Sequence, residues 1–281
     1  MSKIIEFLEL LWNLIFGGGK LKRVSIKERC FMPLFCVKAN GGPQGTWEYL
    51  SLSDNERAYL RDYLKRDAAS GETPAITFCL TPSNVNGGLI SNAMINVSEE
   101  SLNILLARCE DLVRDGIAVF PCLYCDDPSG NMPRWWEMEK HLAVWKAVHA
   151  KIGTLVTGYI LSIESSEKGN IGTVQHYIQK IRDNMPGVDY YGTHLQWKTR
   201  NTPYVWNGSN TPANADIILV ETPNDPNVDV PVNVVMSCYN EIKNANPNLH
   251  FVMHEYNLHV GSGNVVQARA ELRRVGAWGV G

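Results

Sequence analysis

Several signatures that assign a function quickly are missing from this chain of 281 residues. It has no G-x-G-x-x-G or G-x-x-x-x-G-K-[ST] phosphate-binding turn, and no G-x-S-x-G nucleophile elbow. The 26 Lys and Arg residues nearly balance the 29 Asp and Glu residues, so no basic excess indicates a nucleic-acid partner. These absences argue against nucleotide-dependent enzymes, serine hydrolases with that elbow, and nucleic-acid-binding proteins.

The seven cysteines also lack the pattern of a metal site. Only Cys122 and Cys125 form a C-x-x-C, and no second pair completes a zinc-binding set. Most cysteines lie inside apolar runs, where Cys behaves as a small hydrophobe. A redox pair at Cys122 and Cys125 stays open, but buried structural thiols are favoured. The pattern is typical of a chain folded in a reducing compartment, and we expect no metal or cofactor.

The N-terminal residues differ in character from the rest of the chain. Residues 4–16 place apolar side chains on one helical face and Glu6, Glu9 and Asn13 on the other. The run is too short to span a bilayer comfortably, and the acidic residues argue against a signal peptide. Residues 1–23 are therefore predicted to be an amphipathic helix with a glycine hinge. Residues 4–16 could contact a membrane surface, a protein assembly or this chain's own domain, a layout compatible with a virion or cell-surface protein.

The remainder, residues 24–281, alternates apolar runs with helix-like segments. Continuous apolar runs are typical of parallel strands that are covered on both faces. Eight such runs occur: CFMPLFCVKA, PAITFCLTP, IAVFPCLYCDD, VTGYILSIESSE, VDYYGTHLQW, ADIILVET, HFVMHEYN and VGAWGVG. Five helices are predicted between them, beginning near residues 98, 133, 170, 232 and 263. An α/β fold with a parallel sheet follows.

Eight strands in about 250 residues match the size of a (β/α)₈ barrel, also called a TIM barrel. A doubly wound open sheet is the alternative, but the glycine-rich phosphate turn that it usually carries is missing. The last predicted strand ends at Gly281 without a following helix. We expect a continuation of the chain, the N-terminal helix or a partner to cover that position.

Chemistry in such barrels lies at the carboxyl ends of the strands. In this sequence those positions hold carboxylates, amides and aromatic side chains. In strand order they are Asn84, Tyr124, Asp126, Glu164, His194, Trp197, Glu221, Glu255, Tyr256, Asn257 and Trp278. A pair of carboxyl groups beside aromatic side chains is typical of sites that cleave glycosidic bonds. One acid protonates the leaving oxygen while the other attacks or activates water.

The period of two predicts which side chains share a face of each strand. In the fourth strand, Ile160, Ser162 and Glu164 fall on one face. In the seventh, an inward-facing Glu255 requires Met253 to face inward and His254 to face the helix layer. The H-E-x-x-x-H that begins at His254 is one residue longer than the zinc-peptidase motif and reads as strand and loop. A zinc peptidase is therefore not predicted.

This arrangement resembles the clan-A glycoside hydrolases. The resemblance implies a retaining (β/α)₈ barrel with an acid/base Glu that ends strand four, here Glu164. It further implies a nucleophilic Glu that ends strand seven, here Glu255, and a Trp on strand eight beneath the sugar, here Trp278. One departure is Ile163, because the clan usually has Asn before the acid/base. A chitinase-like D-x-D-x-E is also missing from strand four.

Two functional hypotheses follow. The first is a glycoside hydrolase that cleaves a polysaccharide or glycan, with Glu255 as nucleophile and Glu164 as acid/base; Glu167 is an alternative acid. His194, Trp197, Glu221 and the other strand-end residues would then bind the sugar. The second hypothesis is a non-catalytic carbohydrate-binding or structural module, anchored to a larger assembly through residues 4–16.

Overall fold

The structure is a computed structural model that describes residues 21–37, 43–81, 97–125, 134–163, 165, 169–196, 211–221, 232–255 and 263–280. Its strands are β1 (Arg29–Phe31), β2 (Phe35–Val37), β3 (Pro43–Gly45), β4 (Glu72–Cys79), β5 (Ala118–Tyr124), β6 (Gly158–Ser162), β7 (Tyr190–Gln196), β8 (Ile217–Glu221), β9 (His250–Glu255) and β10 (Gly279–Val280). Eight of them form a closed parallel barrel in the order β1-β10-β9-β8-β7-β6-β5-β4. The predicted (β/α)₈ barrel is confirmed.

Six α-helices cover the barrel within the described ranges. They are α1 (Asp54–Asp67), α2 (Glu99–Arg114), α3 (Met138–Ile152), α4 (Ile171–Asn184), α5 (Val232–Ala245) and α6 (Gly263–Arg274). Helix α1 is not among the predicted helices, although Ser53 and Glu56 form a reciprocal capping box at its start. No described helix has the length and hydropathy needed to cross a membrane.

The apolar strands separate the core into two layers, which explains their continuous hydrophobic character. One layer fills the space between the barrel and the helices, and it includes Tyr159, Leu161 and Phe251. The other layer fills the barrel interior; we call it the inner core. Its buried members are Cys30, Met32, Ala75, Cys79, Ala118, Phe120, Cys122, Ile160, Ile217, Leu219, Val252 and Trp278.

The first predicted strand, CFMPLFCVKA, is split in the structure. Its start forms β1, whereas its end forms β2, which pairs with β3 as an antiparallel hairpin. Pro33 lies between β1 and β2 and has no amide hydrogen to donate to a strand ladder. Leu34 donates its amide to the His254 carbonyl at 3.1 Å, so the hairpin departs from the carboxyl end of the barrel.

The segment 21–28 closes the opposite, amino end of the barrel. The Arg23 amide donates to the Thr154 carbonyl at 2.9 Å, and the Thr157 hydroxyl donates to the Val24 carbonyl at 2.8 Å. Val24 also packs against the inner core together with Ile26. Part of the predicted N-terminal unit, residues 21–23, therefore lies on the barrel itself. The predicted amphipathic helix, residues 4–16, lies outside the described residues.

A buried carboxylate joins the last described helix to the barrel. Glu72, at the start of β4, has no exposed side-chain surface and accepts from Arg273 of α6 at 2.7 and 2.9 Å. It also accepts from the Ala69 amide at 2.8 Å and lies 3.8 Å from Arg29 of β1. A buried carboxylate with this many donors is a structural element, because its charge is fully compensated.

Candidate active site

His194 and Glu221 meet at the carboxyl ends of adjacent strands. On β8, Ile217 and Leu219 belong to the inner core, so Glu221, two residues further, shares their inward face. His194 of β7 is the register partner of Leu219 and faces inward with it. Both polar side chains are almost fully buried, His194 at 1% exposure and Glu221 at 1%. Each strand thus ends in a polar group above an apolar core.

His254 of β9 completes this group. Its ring lies 5.2 Å from the His194 ring, centroid to centroid, at an interplanar angle of 76°. Between β8 and β9 the register shifts: Val220 pairs with Met253, but Glu221 pairs with Glu255. His254 is therefore an extra residue in the ladder, as in a β-bulge. The cluster of His194, Glu221 and His254 occupies three consecutive strands.

The directions predicted for Met253 and His254 on β9, which assumed an inward Glu255, are wrong. Met253 packs in the outer layer between strands and helices, whereas His254 faces His194 inside the barrel. The period of two holds from Phe251 to His254, because Phe251 lies in the outer layer with Met253 and Val252 lies in the inner core, so the expectation was out of phase by one residue. Glu255 ends β9 opposite Glu221, so the backbone register still brings these two glutamates to adjacent strand ends.

Burial keeps both histidines neutral. Desolvation lowers the pKa of His194 to about 3. Desolvation also lowers the pKa of His254 well below its usual value, and repulsion from His194 adds to the effect. Neither ring nitrogen of His254 has a hydrogen-bond partner within the described part of the chain. Two uncharged imidazoles can donate and accept hydrogen bonds with sugar hydroxyls without the cost of burying charge.

The fourth barrel strand follows the predicted face. Ile160 lies in the inner core and Ser162 is buried at 1% exposure, its hydroxyl donating to the Ile163 carbonyl. Several predicted site residues lie outside the described residues: Asn84, Asp126, Glu164, Glu167, Trp197, Tyr256 and Asn257. For Glu255 the structure describes the backbone position at the end of β9.

Tyr124 does not lie in the sugar site that the sequence predicted. Its side chain packs with the outer layer, and its hydroxyl accepts from Trp145 Nε1 at 2.7 Å. His141 Nδ1 lies 3.2 Å from the same hydroxyl. The alternation expected for β5 breaks here, because Leu123 and Tyr124 both join the outer layer. Tyr124 therefore anchors α3 to the barrel.

Trp278 is also displaced from its predicted role. It precedes β10, and its ring packs at 4.6 Å from His250 and 5.0 Å from Tyr190, centroid to centroid. His250 and Tyr190 are the first residues of their strands. Trp278 thus fills the amino end of the barrel, opposite to the end where the predicted sugar platform belongs. The neighbouring Gly276 and Gly279 do not indicate from the sequence at which end of the barrel the Trp278 ring lies.

Two features of the carboxyl end were not predicted as parts of a site. His254 is expected in the helix layer from the sequence, whereas its alternation with the inward Val252 and its contact with His194 place it inside the barrel. Cys79 is expected only as a strand residue, yet it lies beside its register partner Cys122 of β5, and both belong to the inner core. Within the described ranges, no group of three or more His, Cys, Asp or Glu side chains has the arrangement of a metal site.

A separate cavity of about 290 Å³ opens at the amino end of β7, β8 and β9. Its lining includes Asp189, Tyr190, Asp216 and His250. Asp216 is held by Arg182 at 2.9 Å and by the Tyr191 amide at 2.8 Å. These contacts give the Asp216 carboxylate a structural role. The cavity lies at the other end of the barrel from the cluster of His194, Glu221 and His254.

No protein-family model matches this sequence, and no curated protein does either. Solved structures match in fold. A GH5-4 broad-specificity endoglucanase from an uncultured bacterium is 9% identical with a TM-score of 0.56, over 95% of this chain and 91% of the endoglucanase. Endo-glycoceramidase II from Rhodococcus sp. is 14% identical with a TM-score of 0.56, over 93% of this chain and 75% of the glycoceramidase.

An exo-beta-1,4-mannosidase from an Opitutaceae bacterium is 13% identical with a TM-score of 0.57, over 88% of this chain. The chain spans about half the length of that mannosidase, since the match covers 53% of it. At these identities the likeness shows the fold. It confirms the closed (β/α)₈ barrel that the strand order indicated. Function has to be argued from the site, because one barrel fold hosts many chemistries.

Proposed function

We propose that this chain is a glycoside hydrolase that acts on a polysaccharide or glycan with retention of configuration. The observation that carries the proposal is the pairing of Glu221 with Glu255 at the carboxyl ends of β8 and β9. These positions lie beside the buried imidazoles of His194 and His254. In barrels of this kind the carboxyl end of the strands is where chemistry occurs.

In the proposed mechanism Glu255 is the nucleophile and Glu164 is the acid/base. Retention requires the two carboxyl groups to lie about 5–5.5 Å apart, so that one attacks the anomeric carbon while the other protonates the leaving oxygen. Glu164 then removes a proton from the water that hydrolyses the glycosyl-enzyme. The negative charge of Glu255 keeps Glu164 protonated until it donates.

The buried cluster would bind the sugar at the reaction centre. His194 and His254 are neutral at physiological pH, so an imidazole nitrogen of each can exchange a hydrogen bond with a sugar hydroxyl without the burial of a charge. Glu221 is proposed to accept a hydrogen bond from a hydroxyl of the same sugar. We further propose sugar contacts for Trp197, Tyr256, Asn257, Asn84 and Asp126, on the basis of their strand-end positions in the sequence.

One observation favours the second hypothesis, a non-catalytic carbohydrate-binding module. Trp278, the aromatic platform that the clan resemblance implied, fills the amino end of the barrel instead. A binding module tolerates the loss of this platform and divergence of the two carboxylates. A hydrolase needs both carboxylates at one cavity.

Hydrolysis of a panel of aryl glycosides, mannans and glucans tests the proposal. We expect turnover by the wild type, and a loss of kcat of roughly 10³-fold in both Glu164→Gln and Glu255→Gln. Glu221→Gln should raise KM more than it lowers kcat. The control is Glu271→Gln, which makes the same charge change on α6 at a side chain with 37% exposure. Saturable glycan binding without any turnover would favour the binding module.

A further inference from the structure

The cavity at the amino end of β7, β8 and β9 is a second concave site on the barrel. Its volume of about 290 Å³ is near the lower end of the range for ligand-binding pockets. On β9, the inner-core residue Val252 lies between His250, which lines this cavity, and His254 at the carboxyl end. A ligand in the amino-end cavity is therefore separate from the candidate active site.

Two short segments form walls of the cavity, and hydrogen bonds hold both in place. The turn after α5 closes through the Leu249 amide, which donates to the Asn246 carbonyl at 3.2 Å. The segment before β8 is tied to α4, because Arg182 donates to the Asn214 carbonyl at 3.0 Å and to Asp216 Oδ2 at 2.9 Å. Walls that are fixed before a ligand arrives lower the entropic cost of binding.

Aromatic rings form one surface of the cavity. Tyr190 and His250 line it, and their rings pack edge to face with centroids 5.4 Å apart. The ring of Trp278, an inner-core residue, lies 5.0 Å from the Tyr190 ring and 4.6 Å from the His250 ring. A tyrosine ring that is held in this way offers an apolar surface to the C–H face of a sugar ring.

Several polar atoms of the cavity lining have no hydrogen-bond partner within the described part of the chain. They are both ring nitrogens of His250, the Tyr190 hydroxyl, and the side-chain amides of Asn246 and Asn248. Asp216 Oδ1 is a further acceptor, because both bonds described for that carboxylate end on Oδ2. Donors and acceptors therefore lie next to an aromatic surface, which is the combination that a sugar requires.

The charges around the cavity favour a neutral ligand. The two lining carboxylates each have a counter-charge, since Asp216 Oδ2 lies 2.9 Å from Arg182 and Asp189 lies 3.5 Å from Arg23. Among the described residues, the lining contains no Lys or Arg that could meet an anionic ligand. An anion would face two carboxylates, and a cation would compete with two arginines.

We propose that the amino-end cavity binds one neutral sugar residue, either a free monosaccharide or the terminal residue of a glycan. The sugar packs its C–H face on the Tyr190 ring. Its hydroxyls exchange hydrogen bonds with His250, Asn246 and Asn248, and one hydroxyl donates to Asp216 Oδ1. The proposal does not rest on hydrolase activity, because none of the residues at the carboxyl end takes part.

The test titrates the full chain with methyl glycosides of glucose, mannose, galactose and N-acetylglucosamine by isothermal titration calorimetry. We expect saturable binding of at least one of them, with slower amide hydrogen exchange in residues 246–250. Ala213→Trp, at an exposed lining residue, places an indole in the cavity and should raise the Kd at least about tenfold. Asn248→Ala, also at an exposed position, should raise it roughly fivefold.

The matched controls are Ala107→Trp and Asn103→Ala, which make the same substitutions at exposed positions of α2 and should bind like the wild type. Methyl glucuronide should bind at least about tenfold more weakly than the neutral sugar. An oligosaccharide that competes with the methyl glycoside assigns the site to glycan ends. An oligosaccharide that does not compete assigns it to free monosaccharides.

Three results would overturn the proposal: no saturable binding of any neutral methyl glycoside, a Kd that Ala213→Trp leaves unchanged, or tighter binding of the glucuronide. Hydrolysis is measured separately on the same samples. Ala213→Trp should turn over substrate at the wild-type rate, so the failure of the amino-end site leaves the proposed hydrolase in place. Equally, a chain without hydrolase activity can still bind sugar at the amino end.

Discussion

His194 and His254 face one another inside the barrel, with ring centroids 5.2 Å apart, although they lie on strands separated by β8. Both are buried in an environment that holds the imidazoles neutral. Both side chains face inward by regular alternation, His194 with Tyr190 on β7 and His254 with Val252 on β9. Two neutral imidazoles beside two strand-end glutamates define the polar floor of the candidate site.

Stability should fall on acidification because of this pair. An unfolded chain protonates His194 below pH 6.5, whereas the folded chain does so only near pH 3. Between these values the unfolded state binds more protons, so each pH unit removes about 1.4 kcal/mol per buried histidine. We expect the free energy of unfolding to drop from pH 7 to pH 5, measured by urea titration.

The histidine variants check the cause of that loss. His194→Gln and His254→Gln should each flatten the dependence of unfolding free energy on pH between about 6.5 and 4. His176→Gln, which removes an imidazole with 59% exposure on α4, is the control. Parallel pH profiles for the wild type and both buried-histidine variants would show that other groups cause the acid sensitivity.

Removal of the Glu72 carboxylate should destabilise the barrel strongly. Glu72→Gln leaves Arg273 and Arg29 without their buried counter-charge, which costs about 3 kcal/mol of unfolding free energy. Glu271→Gln breaks the ion pair with Arg274 on the surface of α6 and should cost less than about 0.5 kcal/mol. Chemical denaturation of both variants provides the comparison. Equal losses would mean that burial of Glu72 has no energetic role.

Tyr124→Phe should lower stability without affecting saccharide binding. The substitution leaves the buried Trp145 Nε1 without the hydroxyl that accepts from it, at a cost of roughly 1–2 kcal/mol. Thermal unfolding and saccharide titration on the same samples separate the two effects. A weaker affinity for saccharide with an unchanged unfolding temperature would mean that Tyr124 contacts the sugar.

Trp278→Leu tests whether the Trp278 ring fills the amino end of the barrel and does not contact the sugar. The ring packs against His250, Tyr190 and Phe120, so the substitution opens a cavity and should cost roughly 2–4 kcal/mol. The KM of the folded fraction should stay at the wild-type value. A large rise in KM with little loss of stability would mean that the ring supports the sugar after all.

The fold was predictable from sequence because its signals are strong and local. Barrel strands such as β5 and β8 are nearly continuous apolar runs, as burial on both faces demands. The missed helix α1 carried a readable signal, the capping box of Ser53 and Glu56, but its amphipathic pattern is weak. The β2–β3 hairpin was merged with β1, because residues on either side of Pro33 are equally apolar.

The site was less predictable, because the directions and positions of its side chains depend on how the strands pair and pack. The inward direction of His254 depends on the phase of β9, which a run of apolar residues on both faces of the strand does not reveal. The level of Trp278 depends on where the two-residue strand β10 pairs with β1 and β9. The outward direction of Tyr124 depends on the hydrogen bond that its hydroxyl accepts from Trp145 of α3. None of these interactions can be recognised from the types of the residues that are neighbours in the sequence.

Mechanism-based labelling tests the central claim most directly. A 2-deoxy-2-fluoro aryl glycoside of the preferred sugar should form a stable glycosyl-enzyme, and peptide mapping should locate the sugar on Glu255. The label should be missing from Glu255→Gln and present in Glu271→Gln. A label on Glu221 or Glu164, or turnover of the parent substrate without any covalent intermediate, would contradict the assignment of Glu255 as the nucleophile.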